Sequence, residues 1–361
     1  MRRSSTRHPV LGGALVALIT VGTASLGAVQ GEKKQPAKLE ESQRKDAQAL
    51  IAFVDEFASG KAPAATLPMK WEQHHYIKAL AEKTYVPFTV ALEPGAPLPG
   101  VGVYLRVVAR GTPAVAPAPD KKKDKEQQSQ YAFEDLYFAD LPAPPAGQRQ
   151  VIRRAFAVAP GEYDVYVAIK ERAAAAASGD ATSAAGTAPR MGVLKQEISV
   201  PNFAGPELTT SSVIVAESVD VLQTPLATDN QAEHAYTFGQ MKIVPALDQK
   251  FSKKGQLTVV LWIYGAKTDE TTKKPDVNME FKFYQKSGDK ETYFNKTEPQ
   301  VLNAQTLPPQ FDQAAGHQLL GTLELPLASF PEGEYRLEID VQDKVSSQKL
   351  TKNVNFTVGG A

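Results

Sequence analysis

The feature that most constrains the fold of this chain is a ten-residue pattern that occurs twice. Residues 160–169 read PGEYDVYVAI, and residues 332–341 read EGEYRLEIDV, so the two segments are separated by 172 positions. In both segments a Gly-Glu-Tyr triplet precedes apolar residues at every second position, which is the period of a half-buried β-strand. Two occurrences of such a specific pattern predict two copies of one folding unit.

The sequence around this pattern repeats as well. The same shift relates three residues of the preceding segment to three later ones: Val151 to Leu323, Ala155 to Leu327 and Val158 to Phe330. Further upstream, the alternating apolar residues of 101–107 correspond to those of 277–283 at a shift of 176. Because one loop insertion changes a shift by a few positions, we expect the preceding strands to be repeated too.

The Gly-Glu-Tyr triplet predicts a corner where the chain crosses from one sheet to another. Gly161 and Gly333 permit a backbone turn that other residues resist. Tyr163 and Tyr335 then begin a strand, with the ring directed inward and the hydroxyl free to bond the backbone of the corner, as in the tyrosine corner of immunoglobulin-like sandwiches. The residues on the same face as these tyrosines should be core, namely Val165, Val167, Ile169, Leu337, Ile339 and Val341.

Short apolar runs separated by Gly, Pro and Asp turns predict strands along most of the chain. We expect them at residues 84–92, 101–108, 131–138, 151–158, 163–169, 193–200, 208–221 (one or two strands), 256–264, 277–284, 291–294, 318–325, 335–341 and 349–358. The predicted fold class is therefore all-β, with two tandem immunoglobulin-like β-sandwich domains at residues 66–203 and 206–358.

The second copy of the hairpin resembles a known group of modules. Residues 330–343 and the terminal strand at 354–358 are similar to the last hairpin of bacterial immunoglobulin-like, polycystic-kidney-disease-type or fibronectin-III-like modules. The whole chain resembles exported proteins of acidobacteria that carry such modules. This resemblance implies an extracytoplasmic, non-enzymatic module protein, and it brings no catalytic residues with it.

The N-terminus has the pattern of a secretory signal peptide. Arg2, Arg3 and Arg7 precede an uncharged stretch at residues 10–29, and small residues suited to cleavage follow, so we assign residues 1–28 to the signal. The same stretch is long enough to span a bilayer, so an uncleaved anchor is the alternative. If the signal is cleaved, no membrane span is expected, and the protein would be periplasmic or secreted.

One amphipathic helix is predicted at residues 36–60. Its apolar residues recur every three or four positions: Leu39, Ala47, Leu50, Ile51, Val54, Phe57 and Ala58. Gly60 and Pro63 mark its end. Such a helix needs an apolar surface, so it either packs on the following domain or docks on a partner.

Composition excludes several classes of function. Forty basic residues balance forty acidic ones, so there is no electrostatic case for nucleic-acid binding, and the basic run at 121–125 is interrupted by Asp124. The chain has no cysteine, which excludes disulfides, thiolate metal sites and cysteine nucleophiles. Two segments rich in Ala, Pro, Lys or Gln, at 112–130 and 173–189, are interpreted as long insertions.

Two aromatic pairs are the candidate ligand-binding residues. Trp71 and Tyr76 flank two adjacent histidines, which would point to opposite faces of a strand and so would not chelate one metal. Trp262 and Tyr264 share one face of a strand. They form either an exposed platform for a sugar or, for Trp262, the buried Trp of a central strand. No catalytic residue, cofactor or metal site is predicted.

Three functions are compatible with these observations. The first is a non-catalytic exported protein that binds an envelope or extracellular protein partner. The second is a carbohydrate-binding module protein that uses one of the two aromatic pairs. The third is an accessory subunit of an envelope hydrolase, or a hydrolase itself.

Overall fold

The computed structural model of the chain describes residues 39–93, 97–111, 131–145, 148–172, 188–227, 231 and 233–359. Several predictions lie outside the described residues. They are the signal peptide at 1–28, the first three residues of the predicted helix, the basic run at 121–125 and nearly all of the two insertions.

The described residues are mostly β-strand, which confirms the all-β prediction. The helix and the first ten strands are α1 (Glu41–Ala58), β1 (Met69–His74), β2 (Ile77–Lys78), β3 (Thr84–Leu92), β4 (Gly100–Ala109), β5 (Phe133–Asp140), β6 (Val151–Val158), β7 (Gly161–Arg172), β8 (Met191–Val200), β9 (Thr209–Thr210) and β10 (Ile214–Val221). The remaining strands are β11 (Thr237–Phe238), β12 (Met241–Pro245), β13 (Lys250–Ser252), β14 (Gln256–Tyr264), β15 (Val277–Ser287), β16 (Lys290–Lys296), β17 (Gln300–Leu302), β18 (Leu319–Pro326), β19 (Gly333–Asp343) and β20 (Lys349–Gly359).

The chain divides into two compact units. The first unit contains the described residues of 39–202 and 233–235, and the second unit contains those of 203–231 and 236–359. The division falls between residues 202 and 203, where the sequence places Pro201 and a Gly-Pro pair.

In the first unit, two sheets enclose one apolar core. One sheet has β3 at its centre, with β1 and β2 on one side and β6 on the other, and the second sheet has the order β5-β4-β7-β8. The core combines alternate residues of both sheets, including Val86, Phe88 and Val90 of β3 and Val101, Val103 and Leu105 of β4. Burial of this apolar surface between two sheets is the main stabilising contribution of a sandwich-like arrangement.

The second unit repeats this plan with additional short strands. One sheet has the order β11-β12-β10-β14-β18 with β9 beside β14, and the other has the order β13-β20-β19-β15-β16 with β17 beside β15. Its core includes Leu257, Val259 and Leu261 of β14 and Met279, Phe281 and Phe283 of β15.

The two corners have the same geometry. The Tyr163 hydroxyl donates to the carbonyl oxygen of Ala159 at 2.9 Å, and the Tyr335 hydroxyl donates to that of Pro331 at 2.7 Å, four residues upstream in each case. Both tyrosine rings are buried in the core of their own unit. The predicted tyrosine corners are therefore present in both copies.

The strand pairing beside each corner also repeats in register. Val107 of β4 pairs with Val165 of β7, and the residues 176 and 172 positions further on, Phe283 and Leu337, pair with each other. The two shifts read from the sequence thus describe one hydrogen-bonded ladder used twice.

The shift of 172 does not extend into the preceding strand, so that part of the prediction is wrong. Two residues separate β6 from β7, whereas six separate β18 from β19. The core-facing residues include Ile152 and Phe156 in β6 but Leu323 and Leu325 in β18. The core-facing residues therefore have even numbers in β6 and odd numbers in β18. Because 172 is an even number, this shift would align Ile152, which faces the core, with a residue on the outer face of β18.

Helix α1 packs on the strands that follow it in the first unit, against the outer face of the β5-β4-β7-β8 sheet. Leu50 and Val54 are fully buried against Tyr104, Tyr166 and Ala168 of that face. The helix is followed by Gly60 at φ +85°, where the sequence predicts its end. It begins at Glu41 and not at residue 36, because a capping box between Glu40 and Gln43 fixes its start.

Candidate functional site

A chain of three side chains lies at the rim of the first unit, along β1 and the residues that follow it. Trp71 Nε1 donates to His74 Nδ1 at 3.1 Å, and His74 Nε2 lies 2.9 Å from the Tyr76 hydroxyl. Their opposite neighbours on β3 include the core residues Val90 and Phe88, so the three side chains are on the inner face of the sheet. We call these residues the Trp-His-Tyr chain.

The donors and acceptors of this chain determine the state of the imidazole. An indole N–H is a donor only, so Nδ1 of His74 must be the unprotonated nitrogen. In the neutral ring the proton is then on Nε2, which donates to the oxygen of Tyr76. The arrangement therefore requires neutral His74, and burial lowers the pKa of this group from its usual value.

Tyr76 connects the two sheets of the first unit. Its hydroxyl oxygen makes a hydrogen bond with the backbone of Ser199, which belongs to β8, the end strand of the other sheet. Burial raises the pKa of Tyr76 to about 12 and the charge of Glu162 adds to the rise, whereas the bond from Ser199 opposes it. The Trp-His-Tyr chain thus closes the seam between β1 and β8.

His75 is separate from this chain. It is fully buried, and desolvation together with the neighbouring His74 lowers its pKa to about 3. Its backbone N–H donates to Pro87, so the segment keeps its pairing with β3 beyond the end of β1. Within the described residues, no group of three or more His, Asp or Glu side chains is placed to hold a metal ion.

The two predicted aromatic pairs differ in exposure. Trp71 is partly buried and stacks on Phe88, with ring centroids 4.6 Å apart and planes 7° from parallel. Trp262 and Tyr264 are only 6% and 4% exposed, because Phe238 packs on the first and Phe203 on the second. A sugar platform needs an exposed ring face, so the alternative of a platform at Trp262 and Tyr264 is wrong, and the alternative of a buried Trp262 on a central strand is confirmed.

The sequence did not single out the outer face of the β13-β20-β19-β15-β16 sheet as a candidate site, although this face carries an ordered array of charges. Lys282 contacts Asp340, and its Nζ lies 3.4 Å from a Glu280 oxygen and 3.7 Å from a Glu338 oxygen. Lys296 reaches Glu280 at 2.6 Å. The hydrogen bond to Asp340, followed by the nearby carboxylates, raises the pKa of Lys282, so this ammonium remains charged across the physiological range.

Beside this array lies a cluster of tyrosine and arginine, which we call the Tyr-Arg patch: Tyr284, Tyr293 and Arg336. The two rings meet edge to face at 5.8 Å across the β15–β16 pair, and the Arg336 guanidinium lies 4.3 Å from the centre of the Tyr284 ring. Glu291 accepts from Arg336 Nε at 2.8 Å and Glu338 from Nη1 at 2.7 Å.

Tyr293 is the most accessible member of the Tyr-Arg patch, with 48% of its surface exposed. It lies on β16, the end strand of its sheet. The sequence signal for this patch is weak. Tyr284 and Tyr293 lie on either side of a Gly-Asp turn, which is typical of a hairpin. Whether the two tyrosines pair depends on the register of the two strands, and a one-residue bulge alters that register here.

The same face of the first unit is covered. Each member of the charged array has an equivalent residue in the first unit. The shift of 176 relates Glu280 to Tyr104 and Lys282 to Arg106 on β4, and the shift of 172 relates Glu338 to Tyr166 and Asp340 to Ala168 on β7. The three apolar or aromatic members lie under α1, and Arg106 Nη1 pairs with Asp55 of the helix at 2.7 Å. One copy of the face is thus apolar and helix-covered, whereas the other is charged and open.

These observations define an all-β protein of sandwich-like architecture, and no helix in the described part of the chain combines the length and hydrophobicity that crossing a membrane requires. No protein-family model and no curated protein matches the sequence. Among solved structures, the chain matches E. coli alpha-2-macroglobulin in its native conformation, with 11% identity and a TM-score of 0.20. That match covers 81% of this chain and 16% of the other, and a likeness at this level carries no argument about function.

Proposed function

We propose that this chain is an exported, non-catalytic protein of two tandem immunoglobulin-like β-sandwich domains, and that the second domain binds a protein partner in the cell envelope or outside the cell. The observation that carries the proposal is the Tyr-Arg patch on an open sheet face. The tyrosine corner in each copy supports the immunoglobulin-like assignment. The pattern of residues 1–28 supports export.

The chemistry of the patch suits contact with a protein. Tyrosine and arginine are enriched among the residues that dominate protein–protein binding energy, because each combines a large contact area with hydrogen-bonding groups. Tyr293 supplies the accessible ring, and the Arg336 guanidinium is held in place by two carboxylates before any partner arrives. A preorganised group loses less conformational entropy on binding.

The strand that carries Tyr293 is rigidly held. Phe294, the next residue, is directed into the core, with its ring 4.8 Å from Phe330 and 5.7 Å from Tyr335. Tyr293 meets Tyr284 on the outer face, and burial of Phe294, the bulged residue beside it, anchors the strand at this point. The patch is therefore a fixed surface feature of the second unit.

Proximity cross-linking in intact cells of the source organism tests this proposal. We expect reproducible protein neighbours for the unmodified chain and a loss of about tenfold in their recovery for Tyr293→Ser, the size expected for a residue that dominates an interface. Val221→Ser is the matched control. Like Tyr293, Val221 is a large, exposed hydrophobic residue of the second unit, but it lies on β10, outside the Tyr-Arg patch, and is 60% exposed. Equal recovery with Tyr293→Ser and Val221→Ser, or no reproducible neighbour, would contradict the proposal.

One observation favours carbohydrate binding as a second candidate. Trp71 is only partly buried, and its indole is held by Phe88 on one face and by His74 at its nitrogen, so the part left exposed belongs to a fixed ring of the kind on which a sugar can stack. Binding to plant, bacterial or host glycans on an array, lost in Trp71→Ala and kept in Trp262→Phe, would support this function. Absence of binding to every glycan class would remove it.

A further inference from the structure

The seam between β1 and β8 is closed at two places in the first unit. At one end, the backbone N–H groups of Thr66 and Leu67 donate to the Met191 carbonyl at 2.8 and 2.9 Å. At the other end, the Trp-His-Tyr chain reaches the backbone of Ser199 through Tyr76. The first closure contains no titratable group, whereas the second depends on an imidazole.

Protonation of His74 is incompatible with the closed arrangement. An imidazolium carries a proton on both nitrogens and is a donor at both. The Nδ1 proton would then face the indole N–H of Trp71 across a distance of 3.1 Å, so one hydrogen bond is lost and two donors oppose each other. The bond from Nε2 to Tyr76 is unaffected, so the break falls specifically between Trp71 and His74.

We propose that the Trp71–His74 contact is an acid-sensitive latch: protonation of His74 releases the Trp71 indole from the inner face of β1 and loosens this rim of the first unit, while the Tyr76–Ser199 link to β8 remains. This inference is independent of the protein-binding role proposed for the second unit. It assigns a regulatory device to residues of the first unit, which lie outside the Tyr-Arg patch.

The surroundings of His74 isolate its titration from that of neighbouring groups. On its own segment, His75 keeps its low pKa of about 3 and Tyr76 its high pKa of about 12, so neither changes charge in the range where His74 does. From β7, Glu162 faces Tyr76, and its pKa is lowered by the Ser199 hydroxyl and by Arg110, so it stays ionised.

The uncharged neighbours complete this environment. The residues that β3 places opposite this segment on the inner face, Phe88 and Val86, are apolar, and β8 contributes Ser199. Among the described residues no carboxylate faces His74 itself, and burial is the cause of its lowered pKa.

The sign of the pH effect follows from this lowered pKa. The usual pKa of a histidine is about 6.5. When the pKa is lower in the folded state, the folded protein binds fewer protons at this histidine than the unfolded protein does below about pH 6.5, so stability falls as the pH falls. The stabilising contribution of neutral His74 is thus fully present above that pH and is lost as the pH falls through the lowered pKa.

The two tryptophans of the chain make the latch measurable. In the variant Trp262→Phe, Trp71 is the remaining tryptophan, and its release from Phe88 and His74 into water should shift its emission to longer wavelength. We expect this shift between about pH 7 and about pH 4 with a midpoint below 6.5. The control is His74→Asn in the same background, since an asparagine oxygen near the position of Nδ1 accepts from Trp71 without titrating, and its emission should stay constant.

Hydrogen–deuterium exchange of the unmodified chain tests the second half of the proposal without relying on the Trp262 variant. Amides of residues 69–78 should exchange severalfold faster in acid, after correction for the intrinsic pH dependence of exchange, and residues 333–343 of the second unit serve as the reference. His74→Asn should abolish the acceleration. A titration without faster exchange, or equal acceleration in His74→Asn, would overturn the latch.

Discussion

Two tyrosine hydroxyls act as matched stabilising groups within this chain. Each donates to a carbonyl four residues upstream, and each follows a glycine at positive φ, +154° for Gly161 and +146° for Gly333. Residues with a Cβ rarely adopt this conformation, so the glycine and the tyrosine are needed together to turn the corner.

We expect Tyr335→Phe to lower the free energy of unfolding by about 1 kcal/mol, because the partly buried hydrogen bond to the Pro331 carbonyl is lost. Tyr163→Phe should have a similar effect through Ala159. Urea unfolding followed by circular dichroism measures both. Tyr293→Phe is the control, since this half-exposed hydroxyl has no such role, and a Tyr335→Phe variant as stable as Tyr293→Phe would contradict the corner assignment.

At the scale of elements, sequence periodicity predicts the long strands and not the short ones. Strands β3, β6 and β14 begin and end at the predicted residues, because each is a mainly apolar segment bounded by polar or turn residues. The short strands β11, β12, β13 and β17 were not predicted, since two to five residues show no period. Strand β1 was not predicted either, because a bulge interrupts its alternation between Trp71 and Gln73.

The candidate sites likewise include some features that the sequence predicts and others that it does not. The sequence singled out Trp71 and Tyr76 from their proximity to histidines, and the structure joins them through His74. The sequence offers a buried Trp262 on a central strand as one of two alternatives, and the structure confirms it. The strand alone does not encode which residues cover the ring, because Phe238 comes from a distant short strand. The Tyr-Arg patch depends on cross-strand register, which local patterns do not encode.

Helix α1 is held on its sheet by partly buried ion pairs as well as by apolar contact. Asp46 contacts Lys170 and lies 3.0 Å from Arg172, and all three side chains are largely shielded from water. We expect Asp46→Asn to destabilise the docked helix by about 1–3 kcal/mol, because two cations lose a charged partner. Faster hydrogen exchange of residues 41–58 would report this loss.

The control for this prediction lies on the same helix. Glu41 pairs with Lys45 at the surface, where both side chains are mostly exposed, so Glu41→Gln should change stability by less than about 0.5 kcal/mol. Equal effects of Asp46→Asn and Glu41→Gln would show that the ion pairs with the sheet do not hold the helix.

A single lysine organises one long loop of the second unit. Lys274 Nζ donates to the carbonyl oxygens of Pro308, Pro309 and Phe311 at 2.7, 2.8 and 3.0 Å. Lys274→Met keeps the length of the side chain and removes these three bonds, so we expect amides of residues 303–317 to exchange faster while β14 stays protected. Lys290→Met, at the exposed tip of a hairpin, should leave that loop unchanged.

At the scale of the whole molecule, one hairpin architecture has two kinds of outer face. In the first unit the face carries Tyr104 and Tyr166 and is covered by α1, whose Leu50 lies over Gly102, where a Cβ would crowd both Phe138 and Leu50. In the second unit the corresponding positions carry Lys282 and its carboxylate partners, which satisfy each other, and no element of the described residues covers them. The repeat therefore determines the fold, and the residues of the outer face determine which copy is available to a partner.

Hydroxyl-radical footprinting with mass spectrometry measures this difference directly, because tyrosine oxidation reports solvent access at single residues. We predict that Tyr166 is protected and Tyr293 reactive in the intact chain, and that Leu50→Asp, which places a charge under the helix, makes Tyr166 reactive without changing Tyr293. Equal reactivity of Tyr166 and Tyr293 in the intact chain would contradict the account of one covered and one open face.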